Sequence, residues 1–133
     1  MDSSKDSLLF KEGQKPKVSI VILNWNGLKH LKVFLPSVCA TNYENLEIVI
    51  GDNNSSDGSV DYIKDNYPDI KLIINEQNYG FAKGYNEVLK NVTADYYVIL
   101  NSDVEVPKNW LNDIVNNPGL RLDNDIEEKI RDR

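Results

Sequence analysis

The sequence contains one cysteine, Cys39, so an intramolecular disulfide and any cysteine-based metal cluster are excluded, which fits a reducing compartment. It contains one histidine, His30, which falls in the same helix-like region as Cys39. Neither has a partner at metal-ligand spacing, and both read as structural. Basic side chains are in deficit, 15 against 21 acidic, for a formal net charge of −6. That balance argues against a general binder of nucleic-acid backbones, which needs a basic face. Long apolar runs are missing too, and none approaches the ~18–20 residues that span a bilayer. Near the N-terminus, Leu8, Leu9 and Phe10 are too few for the core of a signal peptide. The expectation is a soluble, cytoplasmic protein of 133 residues, long enough for one core and too short for two full domains.

What is present is a set of apolar blocks, which argues against intrinsic disorder. Val18–Leu23, Leu46–Ile50, Ile70–Ile74 and Tyr96–Leu100 are short, rich in β-branched or aromatic residues, and closed by Asn, Asp or Gly. The first and last are nearly continuous apolar runs, the pattern of parallel strands covered on both faces. Helical spacing appears between them. Leu28, Leu31, Leu35 and Val38 predict a helix that Pro36 should kink or divide. Asp57-Gly-Ser-Val60 predicts a helix start, with Asp57 or Ser59 as cap. Phe81, Tyr85 and Val88 or Leu89 share a face of a third helix running to about Asn91. Pro107 is placed in the first turn of a fourth, followed by Trp110, Leu111, Ile114 and Val115. The alternation predicts an α/β fold: a parallel sheet with right-handed crossovers and helices on both faces. Residues 1–16 read as a polar arm. From Pro118 to Arg133, nine of sixteen residues are charged, and this tail offers no further strand.

Open α/β sheets bind ligands beyond the carboxyl ends of their strands. The residues that follow the four blocks are Asn24-Trp-Asn-Gly27, Gly51-Asp-Asn-Asn-Ser-Ser-Asp-Gly58, Asn75-Glu-Gln-Asn-Tyr-Gly-Phe81 and Asn101-Ser-Asp103. Such residues are also the ordinary material of turns and caps, and Asp57-Gly58 reads as cap and turn. Asp103 carries more weight. A carboxylate straight after a buried strand needs water, a donor or a metal, and divalent cations bound with nucleotide phosphates use only one or two protein carboxylates.

Taken in series, Val18-Ser-Ile-Val-Ile-Leu-Asn-Trp-Asn-Gly27, Asp52-Asn-Asn-Ser-Ser-Asp-Gly-Ser59, Asn78-Tyr-Gly-Phe-Ala-Lys-Gly-Tyr-Asn86 and Leu100-Asn-Ser-Asp-Val104 resemble the family 2 glycosyltransferases. Their Asn-rich form looks most like the rhamnosyltransferase-like branch. The resemblance covers about residues 17–115, in a nucleotide-sugar-binding portion set at residues 17–117; it implies the GT-A (Rossmann-like) fold, a mostly parallel sheet in an apparently truncated form, and an inverting, nucleotide-sugar-dependent transferase.

By that resemblance Leu23, Asn24 and Trp25 contact base and ribose, and an indole can stack on a pyrimidine. Asp52 and Asn53 take the edge of uracil or thymine and the ribose. Gly80, Lys83 and Asn86 lie beside the nucleotide, with Gly84 permitting close approach and Lys83 able to reach a phosphate. Asn101 and Ser102 stand in the Asp-x-Asp metal motif, its first position now Asn, and Asp103 is the implied ligand of Mg²⁺ or Mn²⁺. The implied donor is a UDP- or dTDP-sugar and the acceptor a glycan or lipid-linked chain, at the inner face of the membrane without a spanning segment. No residue matches the family's general base, which is expected beyond Arg133. Glu105 and Asp113 read as surface charges. The alternative expectation is a catalytically incomplete nucleotide-sugar-binding fragment or interaction module. A phosphoacceptor domain would need an acidic pair where Asn24-Trp25-Asn26 stands, and a dinucleotide-binding domain would need Gly-x-Gly-x-x-Gly.

Overall fold

Each apolar block forms a strand and each periodic segment a helix. The computed structural model describes residues 15–116. These fold as β1 (Val18–Asn24), α1 (Leu28–Cys39), β2 (Leu46–Asp52), α2 (Ser59–Asn66), β3 (Lys71–Ile74), α3 (Gly80–Leu89), β4 (Tyr96–Leu100) and α4 (Trp110–Val115). The strands make one sheet in the order β3-β2-β1-β4, and every pairing is parallel. The chain steps outward from β1 to β3 and then returns to the other side of β1. The order therefore reverses between β1 and β4, and the crevice at such a reversal is where open sheets hold ligands.

Alternation along the strands divides the core. Val18, Ile20, Ile22 and Ile50 face Leu31, Leu35 and Val38 of α1, Ile63 of α2, and Leu111 and Val115 of α4. Val21 and Val49 face Tyr85 and Val88 of α3, with Val92 beyond it. Gly51 sets the second contact. A Cβ there would lie 2.1 Å from Cγ2 of Val88, so only glycine lets α3 sit directly on β2. The expected α/β sheet with helices on both faces is thus observed.

Four local expectations change. Pro36 does not divide α1, which runs unbroken to Cys39. The proline falls in the last turn, so its missing N–H costs one hydrogen bond near an end that closes through Ala40 N–H to the Pro36 carbonyl. Pro107 precedes α4 instead of occupying its first turn, and its carbonyl accepts the Trp110 N–H at 3.3 Å. The third helix ends at Leu89, with Lys90 as its C-cap, short of Asn91. Lys15 and Pro16, at the end of the arm, are tied to the loop before β2: the Tyr43 hydroxyl donates to the Pro16 carbonyl at 2.6 Å, and the Asn45 Nδ2 donates to the Lys15 carbonyl at 3.2 Å. The rest of the arm and the charged tail, 118–133, lie outside the described residues. No helix among the described residues is long and apolar enough to cross a membrane.

Candidate functional site

The parallel sheet carries all four polar clusters to one edge, but it treats them differently. Asn24, the last residue of β1, is 1% exposed, and Asp52, at the end of β2, is 0% exposed. The Asn24 Nδ2 donates to Oδ1 of Asp52 at 2.8 Å and to Oγ of Ser59 at 2.9 Å. Asp52 also accepts from the Ser55 hydroxyl and the Ser55 N–H, both at 2.7 Å. Three hydrogen bonds thus occupy a carboxylate with roughly four acceptor sites. The loops behind the two strands are joined further along. Asn26 N–H donates to the Ser55 hydroxyl at 2.8 Å, and Ser56 N–H donates to Oδ1 of Asn26 at 2.7 Å. Asn26 and Asn54 hold φ of 50° and 65°, a left-handed conformation that asparagine tolerates better than most residues.

Asp57 completes this junction. Its carboxylate accepts the Leu28 N–H at the start of α1 (2.9 Å) and the Ser59 N–H at the start of α2 (3.0 Å), so one side chain serves two helix N-termini. Slight burial works against its charge. Hydrogen bonds from the Ser59 hydroxyl and the backbone N–H groups of Leu28 and Ser59 outweigh it and hold the carboxyl below its ordinary value. The cap-and-turn reading of Asp57 is what the geometry gives.

Asn53 and Asn75 extend the pattern across β3. Asn75 Nδ2 donates to Oδ1 of Asn53 at 2.8 Å, and Asn53 Nδ2 donates to the Gly80 carbonyl at 3.0 Å. Gly84 makes room for this: a Cβ there would stand 2.8 Å from Nδ2 of Asn53 and 3.0 Å from Leu23. Gly80 itself has φ 81°, and the space where its Cβ would go is open. On α3, Oδ1 of Asn86 is buried without a hydrogen-bond partner. Lys83 is exposed, its ammonium 4.5 Å from the centroid of the Tyr79 ring.

The other flank of the crevice is open. Trp25 is 55% exposed. Beyond β4, Asn101 and Asp103 are exposed and make no side-chain hydrogen bond or ion pair among the described residues. Ser102 approaches the β1 loop: the point where a Gly27 Cβ would sit is 2.5 Å from Oδ1 of Asn24 and 3.8 Å from Oγ of Ser102. That Oδ1 is a buried acceptor without a donor. No group of three His, Cys, Asp or Glu side chains that could hold a metal occurs among the described residues. Asp103 is a single exposed carboxylate, and one carboxylate is a common protein share where phosphates and water hold most of a divalent cation.

Sequence reasoning missed three contributors. Ser55 and Ser59 read as turn and cap material yet bind the central Asn24–Asp52 pair. Tyr85 read only as an apolar helix face. Its hydroxyl accepts the Leu23 N–H at 3.2 Å and donates to the Leu100 carbonyl at 3.1 Å. Burial pushes its pKa up to about 12, the Leu23 contact acting the other way, so it stays a protonated donor at neutral pH.

Comparison with known proteins agrees with this architecture. The profile of Glycosyl transferase family 2 matches residues 19–117. An uncharacterized glycosyltransferase of Rickettsia felis is 32% identical over 89 residues, which are 66% of this chain and 15% of that protein. In Methanococcus voltae, a dolichyl N-acetyl-alpha-D-glucosaminyl phosphate 3-beta-D-2,3-diacetamido-2,3-dideoxy-beta-D-glucuronosyltransferase is 31% identical over 101 residues, 71% of this chain and 31% of that one. Among solved structures, S. aureus TarS 1–349 in complex with UDP superposes with a TM-score of 0.66 at 24% identity, over 73% of this chain and 30% of that 1–349 chain. The mannosyltransferase PcManGT from Pyrobaculum calidifontis, solved with GDP-Man and Mn²⁺, gives 0.62 at 23% identity, over 78% and 34%. The chain therefore spans a third or less of the curated relatives named here. A profile match over most of the chain and a parallel sheet of this order lead to one statement: the chain belongs to glycosyl transferase family 2 and has the GT-A fold.

Proposed function

We propose that this chain binds a nucleoside-diphosphate sugar, a UDP- or dTDP-sugar of the rhamnosyl-donor type, in the crevice between the ends of β1 and β4. The observation that carries the reading is the pairing of an exposed indole, Trp25, on one side of the strand-order reversal with an exposed carboxylate, Asp103, on the other. Trp25 stacks on the base. Asn24, Asp52 and Asn53 set the shape of the base and ribose pocket, where Asp52 keeps one acceptor site and Asn24 an unpartnered oxygen. Leu23, Gly80 and Gly84 allow close approach. Lys83, on leaving the Tyr79 ring, reaches toward phosphate, and Asn86 offers its unpartnered oxygen beside it. Asn101, Ser102 and Asp103 form the diphosphate side, with Asp103 holding Mg²⁺ or Mn²⁺. When bound, that cation supplies Lewis-acid stabilisation of the diphosphate leaving group.

The reaction follows as transfer with inversion to a hydroxyl of a glycan or lipid-linked acceptor, in polysaccharide assembly at the cytoplasmic face of the cell envelope. The described residues supply donor recognition and charge placement. The general base that takes the acceptor proton is assigned to none of them, since Glu105 and Asp113 are exposed surface charges. Calorimetry with UDP and with dTDP in the presence of Mn²⁺ tests the reading. Binding that Asp103→Ala abolishes supports it, and binding of neither nucleotide overturns it. Binding without hydrolysis or transfer of any donor would point to the non-catalytic module instead.

A further inference from the structure

Past Ile22, β1 keeps its pairing to β2 but loses its pairing to β4. The β1–β2 ladder continues through Leu23↔Gly51 and Asn24↔Asp52, whereas the β1–β4 ladder ends at Ile22↔Leu100. The crevice opens at that point. One group stands in the opening, the Tyr85 hydroxyl, which accepts from the Leu23 N–H at 3.2 Å and donates to the Leu100 carbonyl at 3.1 Å. A hydroxyl can both donate and accept, so it bridges an N–H and a C=O that no longer meet directly. The ring that carries it is 1% exposed and packs edge-on to Phe81, with centroids 5.0 Å apart at 72°. Tyr85 comes from α3, the helix whose first residue, Gly80, is held by Asn53. The same helix thus engages the ends of β1, β2 and β4.

We infer that Tyr85 is a positioning residue that sets the width of the β1–β4 crevice, and hence the separation of the Asn24–Trp25 loop from the Asn101–Asp103 loop. Packing alone does not need the hydroxyl, because phenylalanine would fill the same space among Val21, Val49 and Val88. What the oxygen adds is a fixed spacer of one atom between two strand ends that carry the opposite walls of the site. Its consequence for affinity rests on the donor-binding reading above. Its structural part does not.

The test uses the whole chain and reads both parts. Leu23 lies beyond the last β1–β4 rung, so its amide is protected from hydrogen exchange only if the Tyr85 hydroxyl holds it. In the unaltered protein the Leu23 amide is expected to exchange as slowly as those of Ile20 and Ile22, and rapid exchange there overturns the inference with no variant needed. Tyr85→Phe is expected to speed Leu23 exchange by about fivefold, the scale of one hydrogen bond, while Val21 and Val49 are unchanged. It should weaken UDP or dTDP binding with Mn²⁺ by a similar factor. Phe81→Leu, which disturbs the ring contact and keeps the hydroxyl, should leave Leu23 protected. If Tyr85→Phe leaves exchange unchanged, or speeds it without weakening nucleotide binding, Tyr85 does not set the site and the inference fails. If the unaltered chain binds neither nucleotide, the donor-binding reading fails, and the spacer is judged on Leu23 exchange alone.

Discussion

Asp52 and Asp103 are both carboxylates at the carboxyl ends of parallel strands, yet they live in opposite surroundings. Asp52 is fully buried and takes three hydrogen bonds from Asn24 and Ser55, inside a junction that joins the loops after β1 and β2. Asp103 is exposed and has no side-chain partner among the described residues. One wall of the crevice is therefore held by its own internal hydrogen bonds, and the other presents groups that water solvates. The difference teaches that strand-end position alone does not give an acidic residue its role. Desolvation does: a buried carboxylate must be hydrogen-bonded internally, whereas an exposed one is satisfied by water that a ligand can displace.

The sharpest way to break the comparison is to remove the buried member. Asp52→Ala takes an acceptor from the buried Asn24 amide, which keeps Ser59, and from both the N–H and the hydroxyl of Ser55, and about 3 kcal/mol of stability should be lost. Urea unfolding measures this, and a loss under 1 kcal/mol would show the junction to be ornamental. Next in size is Gly84→Ala. The new Cβ would sit 2.8 Å from Asn53, so either α3 or the Asn53–Gly80 contact must shift, at about 1–3 kcal/mol. Amide exchange should show the disturbance confined to the ends of β2 and β3 and the start of α3. Spread into α1 would mean that the closed wall is coupled more widely than the hydrogen bonds indicate.

The sequence made one of these walls much easier to read than the other. Strands and helices were legible because an apolar block of five residues or a 3.6-residue period has few alternatives in a chain of this length. The strand-end positions of Asn24, Asp52 and Asp103 followed from the same alternation. Which of them would be buried was not legible, because it depends on pairing between residues far apart in sequence. Asn24 reaches Ser59 across 35 positions, a contact fixed by the β1–β2 register. Hydropathy even misleads here: Trp25 is exposed and the asparagine before it is not. Tyr85 was hidden for a related reason. Its ring obeys the helical period, and its hydroxyl acts across a divergence of strands that no local pattern encodes. Pro36 misled in another way, since its effect depends on how little helix follows it.

A smaller effect probes how the closed wall is held. Asp57 caps two helices, and its carboxyl is held below the ordinary range. A carboxyl lowered by folding contributes stability above the unfolded pKa near 4, and that contribution is lost as pH falls through the lower folded value. Asp57→Asn should cost about 1 kcal/mol at neutral pH, the scale of a helix cap, and should flatten the acid side of the stability curve. Urea midpoints measured from pH 6 down to pH 3 would show this. A variant whose curve stays parallel to the unaltered protein's throughout would mean that Asp57 contributes through its shape and not its charge.

The smallest stability effect is expected at the open wall. Asp103→Ala removes a side chain with no partner among the described residues, so its stability should fall within about ±0.5 kcal/mol of the unaltered protein. An actual gain is compatible with the same argument, because a net charge of −6 is reduced by one. Nucleotide binding in Mn²⁺ should nevertheless be lost, while Asp52→Ala should weaken it only in proportion to the disorder it causes. The two carboxylates then separate along two axes: one carries stability with an indirect effect on binding, the other carries binding with almost none on stability. Should Asp103→Ala destabilise the chain as much as Asp52→Ala, both residues would be scaffold, and the open wall would have to find its cation ligand elsewhere.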